Sequence, residues 1–428
     1  MKTLILVLVV PAALLLSACD KKPEASFTIF PEDCNTGDTV SFNNTSLNAS
    51  SFQWEFGDGN HSSEKDPRHV YTSGAYYTVK LTAINEDGSD AAQGYVNVEN
   101  AEGALLEVTV HSEGLEGNLL EESPDRKVSV YLPPGYDRDT STHYPVLYLL
   151  HGWLGDKDLW FGGRLFILDI YDGLDVSKLM DSKIADGSVS PMIIVAPDGN
   201  NSYDGCWYTN SSVAGNWEDY IVEDIVSYTD THFRTLPNAE SRGIAGHSMG
   251  GYGAMAIALK HPDIFKAVYS LSAADLSFER LLEVRKEEFI AAASHSENYN
   301  QAPTIVKSIL SRAVSYAPNP DASPIPADLP LDMEGKLIDS AWERWLIHDP
   351  IGLLPSYLDN PARLSAIKLD CGDQDSAAVP GITHLSNTLT ELGIDHVYEI
   401  YEGDHTNGVS ERMNSHVMKF FSENLIFE

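Results

Sequence analysis

One segment limits the possible folds more than any other: Ser241-Arg242-Gly243-Ile244-Ala245-Gly246-His247-Ser248-Met249-Gly250-Gly251-Tyr252-Gly253-Ala254. It reads as a buried strand, a glycine-flanked turn carrying a serine, and the start of a helix. Gly246-His247-Ser248-Met249-Gly250 is a G-x-S-x-G pentapeptide, the spacing that lifts a serine hydroxyl above a sheet on a sharp strand-to-helix turn. Glycines on both sides let neighbouring backbone approach without a clash. Ala254 to Leu259 continues as a helix whose positive N-terminal end favours a developing oxyanion. The bland alternative is a glycine-rich turn with a capping serine. The strand-like run before it and the helix-like run after it favour a nucleophile.

A serine nucleophile of this kind needs an acid and a histidine further along, in that order. Leu364 to Leu369 is strand-like and runs into Asp370-Cys371-Gly372-Asp373-Gln374-Asp375. All three carboxylates compete. Asp375 is favoured because it sits in the loop rather than in the strand or its first turn, and Asp373 is the runner-up. Val397 to Tyr401 forms the next strand, followed by Glu402-Gly403-Asp404-His405, which puts His405 where the general base belongs. His416 falls in a helical run, His384 and His396 lack a strand-end position, and His247 lies beside the nucleophile rather than acting as base. The apolar strand Tyr144 to Leu150 ends in His151-Gly152-Trp153-Leu154. The amide of Trp153 or Leu154, with that of Met249, is the expected oxyanion donor pair. His151 reads as a loop-organising hydrogen-bond partner.

The 428 residues exceed one ordinary domain. Residues 23–100 read as all-β, with short alternating runs such as Thr39 to Phe42 and Tyr77 to Thr82. Turn residues such as Gly57-Asp58-Gly59-Asn60 punctuate them. Trp54-Glu55-Phe56-Gly57-Asp58-Gly59, Pro67 to Tyr71 and Gly74 to Val79 together resemble the PKD domain family, an Ig-like sandwich found as a spacer or binding unit. Trp54 and Tyr71 are expected in its core, and Asp58 as a turn-stabilising carboxylate rather than a calcium ligand. From about residue 105 to 428, strands and helices alternate, as in a mostly parallel sheet covered by helices. Tyr220 to Phe233 has helical spacing.

Lys2 and the apolar run Leu4 to Leu16 fit a signal peptide, and Leu16-Ser17-Ala18-Cys19 resembles a bacterial lipobox. Residues 1–19 are therefore expected to be a leader, with Cys19 lipidated and the chain tethered to a membrane in the cell envelope. Cys34, Cys206 and Cys371 remain, and the last two pair only if their loops meet. No Cys/His spacing suggests a metal, and no cofactor is expected. Lys plus Arg number 28 against 63 Asp plus Glu, a net charge of −35 that disfavours nucleic acid as a partner.

Leu132-Pro133-Pro134-Gly135-Tyr136, Tyr144 to Gly152, Ala214 to Tyr220 and the serine turn together resemble an esterase family of the α/β-hydrolase fold. It holds feruloyl and acetyl-xylan esterases, S-formylglutathione hydrolases and mycolyltransferases. The resemblance implies an α/β fold and ester hydrolysis, with Ser248, Asp375 and His405 in the triad positions. Residues 277–349 fit the pattern poorly and read as a helical, proline-rich insertion that shapes the substrate pocket. An exported chain disfavours S-formylglutathione. The expected substrates are acyl esters, including feruloyl or acetyl groups on polysaccharide. A general carboxylesterase, an acyltransferase of the mycolyltransferase type, or an inactive hydrolase fold used for adhesion are the rivals.

Overall fold

The computed structural model describes residues 21–138, 140–163, 170–294 and 298–427. Residues 1–19, expected to be a leader, and with them Cys19, lie outside the described residues. The chain divides into two compact units, Met1–Ala101 and Glu102–Glu428.

In the smaller unit, a three-stranded and a five-stranded sheet enclose a core of Val40, Phe42, Trp54, Phe56, Tyr71, Val79, Leu81, Val96 and Val98. Trp54 and Tyr71 are each 1 % exposed, so both serve the core. The Asp58 carboxylate accepts from the Asn60 amide at 3.0 Å and meets His69 Nε2 at 2.6 Å, which fixes the turn. The alternation of the sequence follows from one buried face per sheet.

The larger unit runs β1 (Ala104–His111), β2 (Asp125–Leu132), β3 (Val146–Leu150), α1 (Val176–Ala185), β4 (Ile193–Pro197), α2 (217–232), β5 (Arg242–His247) and α3 (Met249–Lys260). It continues with β6 (Ala267–Leu271), α4 (Phe278–Val284), α5 (Lys286–Ser294), α6 (Thr304–Tyr316), α7 (Asp339–Leu346) and α8 (Pro350–Asp359). Then come β7 (Ala366–Gly372), α9 (Ala378–Glu391), β8 (Val397–Tyr401) and α10 (409–424). The strands form one sheet in the order β8-β7-β6-β5-β3-β4-β2-β1. In this sheet only β2 runs opposite to the other strands. Strands β3 to β6 are buried along their whole length, which explains the unbroken apolar runs of β3 and β4.

Crossover connections put the C-terminal ends of β3, β5, β7 and β8 on one rim, where ligands bind in open parallel sheets. The loops ending in Trp153, Ser248, Asp375 and His405 all leave from that rim. The stretch expected to be an insertion holds α4 to α7. It is tied to the sheet unit by a buried pair in which Arg312 of α6 donates from Nε to Asp275 at 2.7 Å.

Candidate active site

Ser248 stands between β5 and α3 with φ 58° and ψ −118°, a conformation that costs a side-chain-bearing residue on the order of 1–3 kcal/mol. The turn survives because Gly246 and Gly250, two residues to either side, have no side chains. A Cβ on Gly250 would lie 2.0 Å from the Leu150 carbonyl oxygen, so only glycine lets α3 start this close to β3. The far end of α3 is anchored as well. Glu218, from the Ala214 to Tyr220 segment, meets Lys260 at 2.6 Å and His261 at 2.9 Å.

His405 Nε2 lies 2.9 Å from Ser248 Oγ, and His405 Nδ1 lies 2.6 Å from Asp375 Oδ2. Burial alone would raise the Asp375 carboxyl. The hydrogen bond and charge of His405, with the Ala378 amide, outweigh that and hold it below the usual carboxylate range. It is therefore ionised at neutral pH and holds Nδ1 in its protonated form, leaving Nε2 to accept from the serine.

The structure separates the three competing carboxylates. Asp370 is fully buried at the end of β7 and paired with Arg412 at 2.7 Å. Burial pushes its carboxyl up to about 6. Asp373 accepts from the Gly403 amide at 3.1 Å, while the Asp373 and Gln374 amides donate to the Tyr401 and Gly403 carbonyls at 2.8 Å each. Asp373 thus stitches the acid loop to the histidine loop. Gly372 makes the seam possible, since a Cβ there would meet the Gly403 oxygen at 2.2 Å.

The two amides proposed as alternatives after β3 differ. Leu154 holds φ 71° and donates to the Asp204 carbonyl at 2.8 Å, so its N–H is spent. That corrects the expectation for Leu154: the bond buckles the loop rather than leaving the amide open. The Trp153 amide is paired with no acceptor among the described residues. Met249 is the first residue of α3, where a helix leaves amides unpaired. Trp153 and Met249 are therefore the two expected donors whose amides the structure leaves open among the described residues. His151 donates from Nδ1 to the Gly152 carbonyl at 2.8 Å and accepts the Gly199 amide at Nε2 at 2.8 Å, organising the loop.

A cavity of about 640 Å³ opens over Ser248 and His405. Besides the triad it is lined by Trp153 and Trp207 and by Leu281, Ile305, Ile309 and Arg312 of the helices between β6 and β7. The Arg312 guanidinium lies 3.9 Å from the Trp207 ring centroid and binds Asp275 through two nitrogens. Trp207 and Tyr208 hold left-handed φ values of 52° and 48°. The strain is held by bonds from Trp207 Nε1 to Ser311 at 2.9 Å and from the Tyr208 hydroxyl to the His151 carbonyl at 3.0 Å. Sequence reasoning missed Trp207, Asp275 and Arg312, because nothing in local periodicity signals a cation stacked on a ring a hundred residues away. Of the histidines weighed against His405, His384 meets Ser277 and His396 meets Ser386 instead of the serine. Cys206 and Cys371 are separate buried thiols and do not pair.

A parallel sheet with a serine on a strained strand-to-helix turn, and an acid and a histidine on the following strand ends, defines an α/β-hydrolase. A family profile described as Putative esterase spans residues 122–409, and a PKD domain profile spans residues 20–99. The chain belongs to that esterase family and carries a PKD domain at its N-terminal side. Esterase MT1326 of Mycobacterium tuberculosis is 37% identical over 149 residues, covering 34% of this chain and 28% of that protein. An endo-1,4-beta-xylanase/feruloyl esterase of Xylanibacter ruminicola is 30% identical over 141 residues, 32% of this chain and 18% of that one. The chain thus spans less than a third of the length of either relative. A solved ferulic acid esterase shares the fold, with 21% identity, a TM-score of 0.50, and coverage of 76% of this chain and 100% of that one.

Proposed function

We propose that the protein is an exported, lipid-anchored serine carboxylic-ester hydrolase that removes feruloyl or acetyl groups from polysaccharide. The observation that carries this reading is the chain of contacts Ser248–His405–Asp375 at 2.9 and 2.6 Å over an open cleft. His405 takes the Ser248 proton as Oγ attacks the ester carbonyl, and Asp375 stabilises the imidazolium. The oxyanion rests on the Met249 and Trp153 amides. His405 then gives its proton to the leaving alcohol, and water, activated by the same histidine, releases the acid from the acyl-enzyme.

The cleft supports an acyl group with an apolar or aromatic body, since Leu281, Ile305 and Ile309 face it beside Trp153 and Trp207. The feruloyl esterase named among the relatives supports the same substrate class. In this reading Cys19 carries the lipid at the cell envelope and the PKD domain acts as a spacer between membrane and hydrolase. The test is hydrolysis of p-nitrophenyl acetate, p-nitrophenyl butyrate and methyl ferulate by the full-length chain in detergent, beside Ser248→Ala. Activity on methyl ferulate that vanishes in the variant supports the reading. A preference for butyrate over ferulate moves it to a general carboxylesterase. No turnover and no Ser248 labelling by a fluorophosphonate sinks it. Loss of membrane association in Cys19→Ala tests the anchor.

A further inference from the structure

His247 is the variable residue of the serine pentapeptide, and it is 2 % exposed although it sits next to a nucleophile facing solvent. Its Nε2 lies 2.6 Å from the main-chain carbonyl oxygen of His405. A carbonyl can only accept, so Nε2 bears the proton and donates. The neutral ring then offers Nδ1 as an acceptor, and the Tyr171 hydroxyl fills it at 2.9 Å. Tyr171 is itself 2 % exposed and lies against Trp160, with ring centroids 5.1 Å apart and planes 26° from parallel. Burial, together with the nearby His405, holds the His247 ring down to about 3, so it stays neutral where an esterase works.

We propose that His247 is a positioning residue for His405: it ties the histidine loop to the nucleophile strand, and Tyr171 locks the tautomer that makes the tie. This rests on the triad reading above. The His405 side chain is 41 % exposed, and its bonds to Ser248 and Asp375 alone do not fix the main chain from which the ring projects. The loop's other ties are local, from the Thr406 and Asn407 amides to Asp404, or reach the acid loop through Gly403. The bond from the His247 side chain to the His405 carbonyl links the strand that ends in the nucleophile to the loop that carries the base. A displacement of about 1 Å at a reacting group costs on the order of 10²-fold in rate.

The experiment compares full-length wild type, His247→Met, His247→Gln and Tyr171→Phe. Turnover of p-nitrophenyl acetate, the rate of Ser248 labelling by a fluorophosphonate, and thermal unfolding are read for each. Methionine fills the space without a donor, and glutamine restores an N–H near the Nε2 position. The expected result is a loss of about 10²-fold in kcat for His247→Met with KM within about threefold, and labelling slowed by a similar factor. His247→Gln recovers to within about tenfold of wild type, and Tyr171→Phe loses several-fold, because its partner's tautomer is no longer enforced. The proposal is overturned if folded His247→Met keeps wild-type kcat, or if His247→Gln is no better than His247→Met. Should His247→Met fail to fold, wild-type turnover in Tyr171→Phe overturns it. A wild type that neither turns over ester nor labels at Ser248 sinks the triad reading and this one with it, whereas an active wild type with insensitive His247 variants sinks this one alone.

Discussion

Replacing Asp375 with asparagine removes a charge and keeps the shape, and the structure decides which way the new amide turns. Oδ1 of Asp375 accepts the Ala378 and Ala377 amides at 3.1 and 3.3 Å, while Oδ2 faces His405. The side chain is 4 % exposed, so no water replaces a lost partner there. Turning the asparagine NH2 toward the two backbone amides would leave three donors facing one another, each unpaired group costing about 1–3 kcal/mol. The carbonyl therefore stays on Ala377 and Ala378, and the NH2 points at His405 Nδ1. That nitrogen must now accept, so the ring proton moves to Nε2 and faces Ser248 Oγ, where it blocks removal of the serine proton. The loss expected from a wrong tautomer is about 10⁴-fold in kcat, or about 5.5 kcal/mol of transition-state stabilisation. KM should change little. The assay is p-nitrophenyl acetate hydrolysis over a range of substrate, with Asp373→Asn as control. An asparagine at 373 still accepts from Gly403, so that variant should stay within about tenfold of wild type. A kcat for Asp375→Asn within tenfold of wild type, or an equal collapse in Asp373→Asn, would refute the reasoning.

Three further outcomes follow from buried charges and thiols. Asp349 caps α8 by accepting the Ile351 amide at 3.1 Å, and burial pushes its carboxyl up to about 7. Its unfolded value is about 3.9, so the native state holds a proton the unfolded chain releases, and this group's stabilisation fades as pH rises from about 4 through 7. Asp349→Asn should gain melting temperature relative to wild type between about pH 5 and 8, and a constant difference would count against the assignment. Arg312→Met leaves Asp275, 1 % exposed, as an unpaired buried charge and should cost about 3–5 kcal/mol in denaturant unfolding, part of which Asp275→Asn restores in the double variant. No recovery in the double variant would mean the pair does not bear the cost. Cys206 and Cys371 are both fully buried, and burial pushes the Cys371 thiol up to about 12. Maleimide should modify neither at neutral pH until the chain is unfolded, and rapid labelling of folded protein would contradict this.

The residues legible in the sequence were those whose role depends on their place in a local turn. Ser248 is marked by glycines that the close approach of Leu150 demands, and His405 by being the histidine directly after the last strand. Choosing Asp375 over Asp370 and Asp373 was already a weaker inference, because all three lie within six residues and the difference is what each one faces. In the folded chain one faces Arg412, one the Gly403 amide and one His405. Leu154 failed for the same reason. Its amide looked as available as that of Trp153 until the loop of Asp204 closed over it. Strand β6 was not singled out at all, although Ala267–Leu271 is buried throughout and carries the Leu271 carbonyl that receives the Ser248 amide at 2.9 Å.

The contrast between the two walls of the cleft has a physical cause. The catalytic wall is built from strand ends, and a strand end is announced locally by period, glycine and the run that follows. The other wall is lined by α4 and α6, whose apolar stripes look like those of any core-facing helix. What turns α6 toward the serine is a set of distant pairs: Arg312 on Asp275, Ser311 under Trp207, and the strained φ of Trp207 that brings its ring to them. Each pair joins residues dozens to a hundred positions apart, so each is invisible to a window that reads one helix. In the proposed reading, substrate preference is thus set where the sequence pattern is least specific, while the chemistry is set where it is most specific. Exchanging α6 should therefore change which ester is preferred while leaving Ser248 reactive toward a fluorophosphonate.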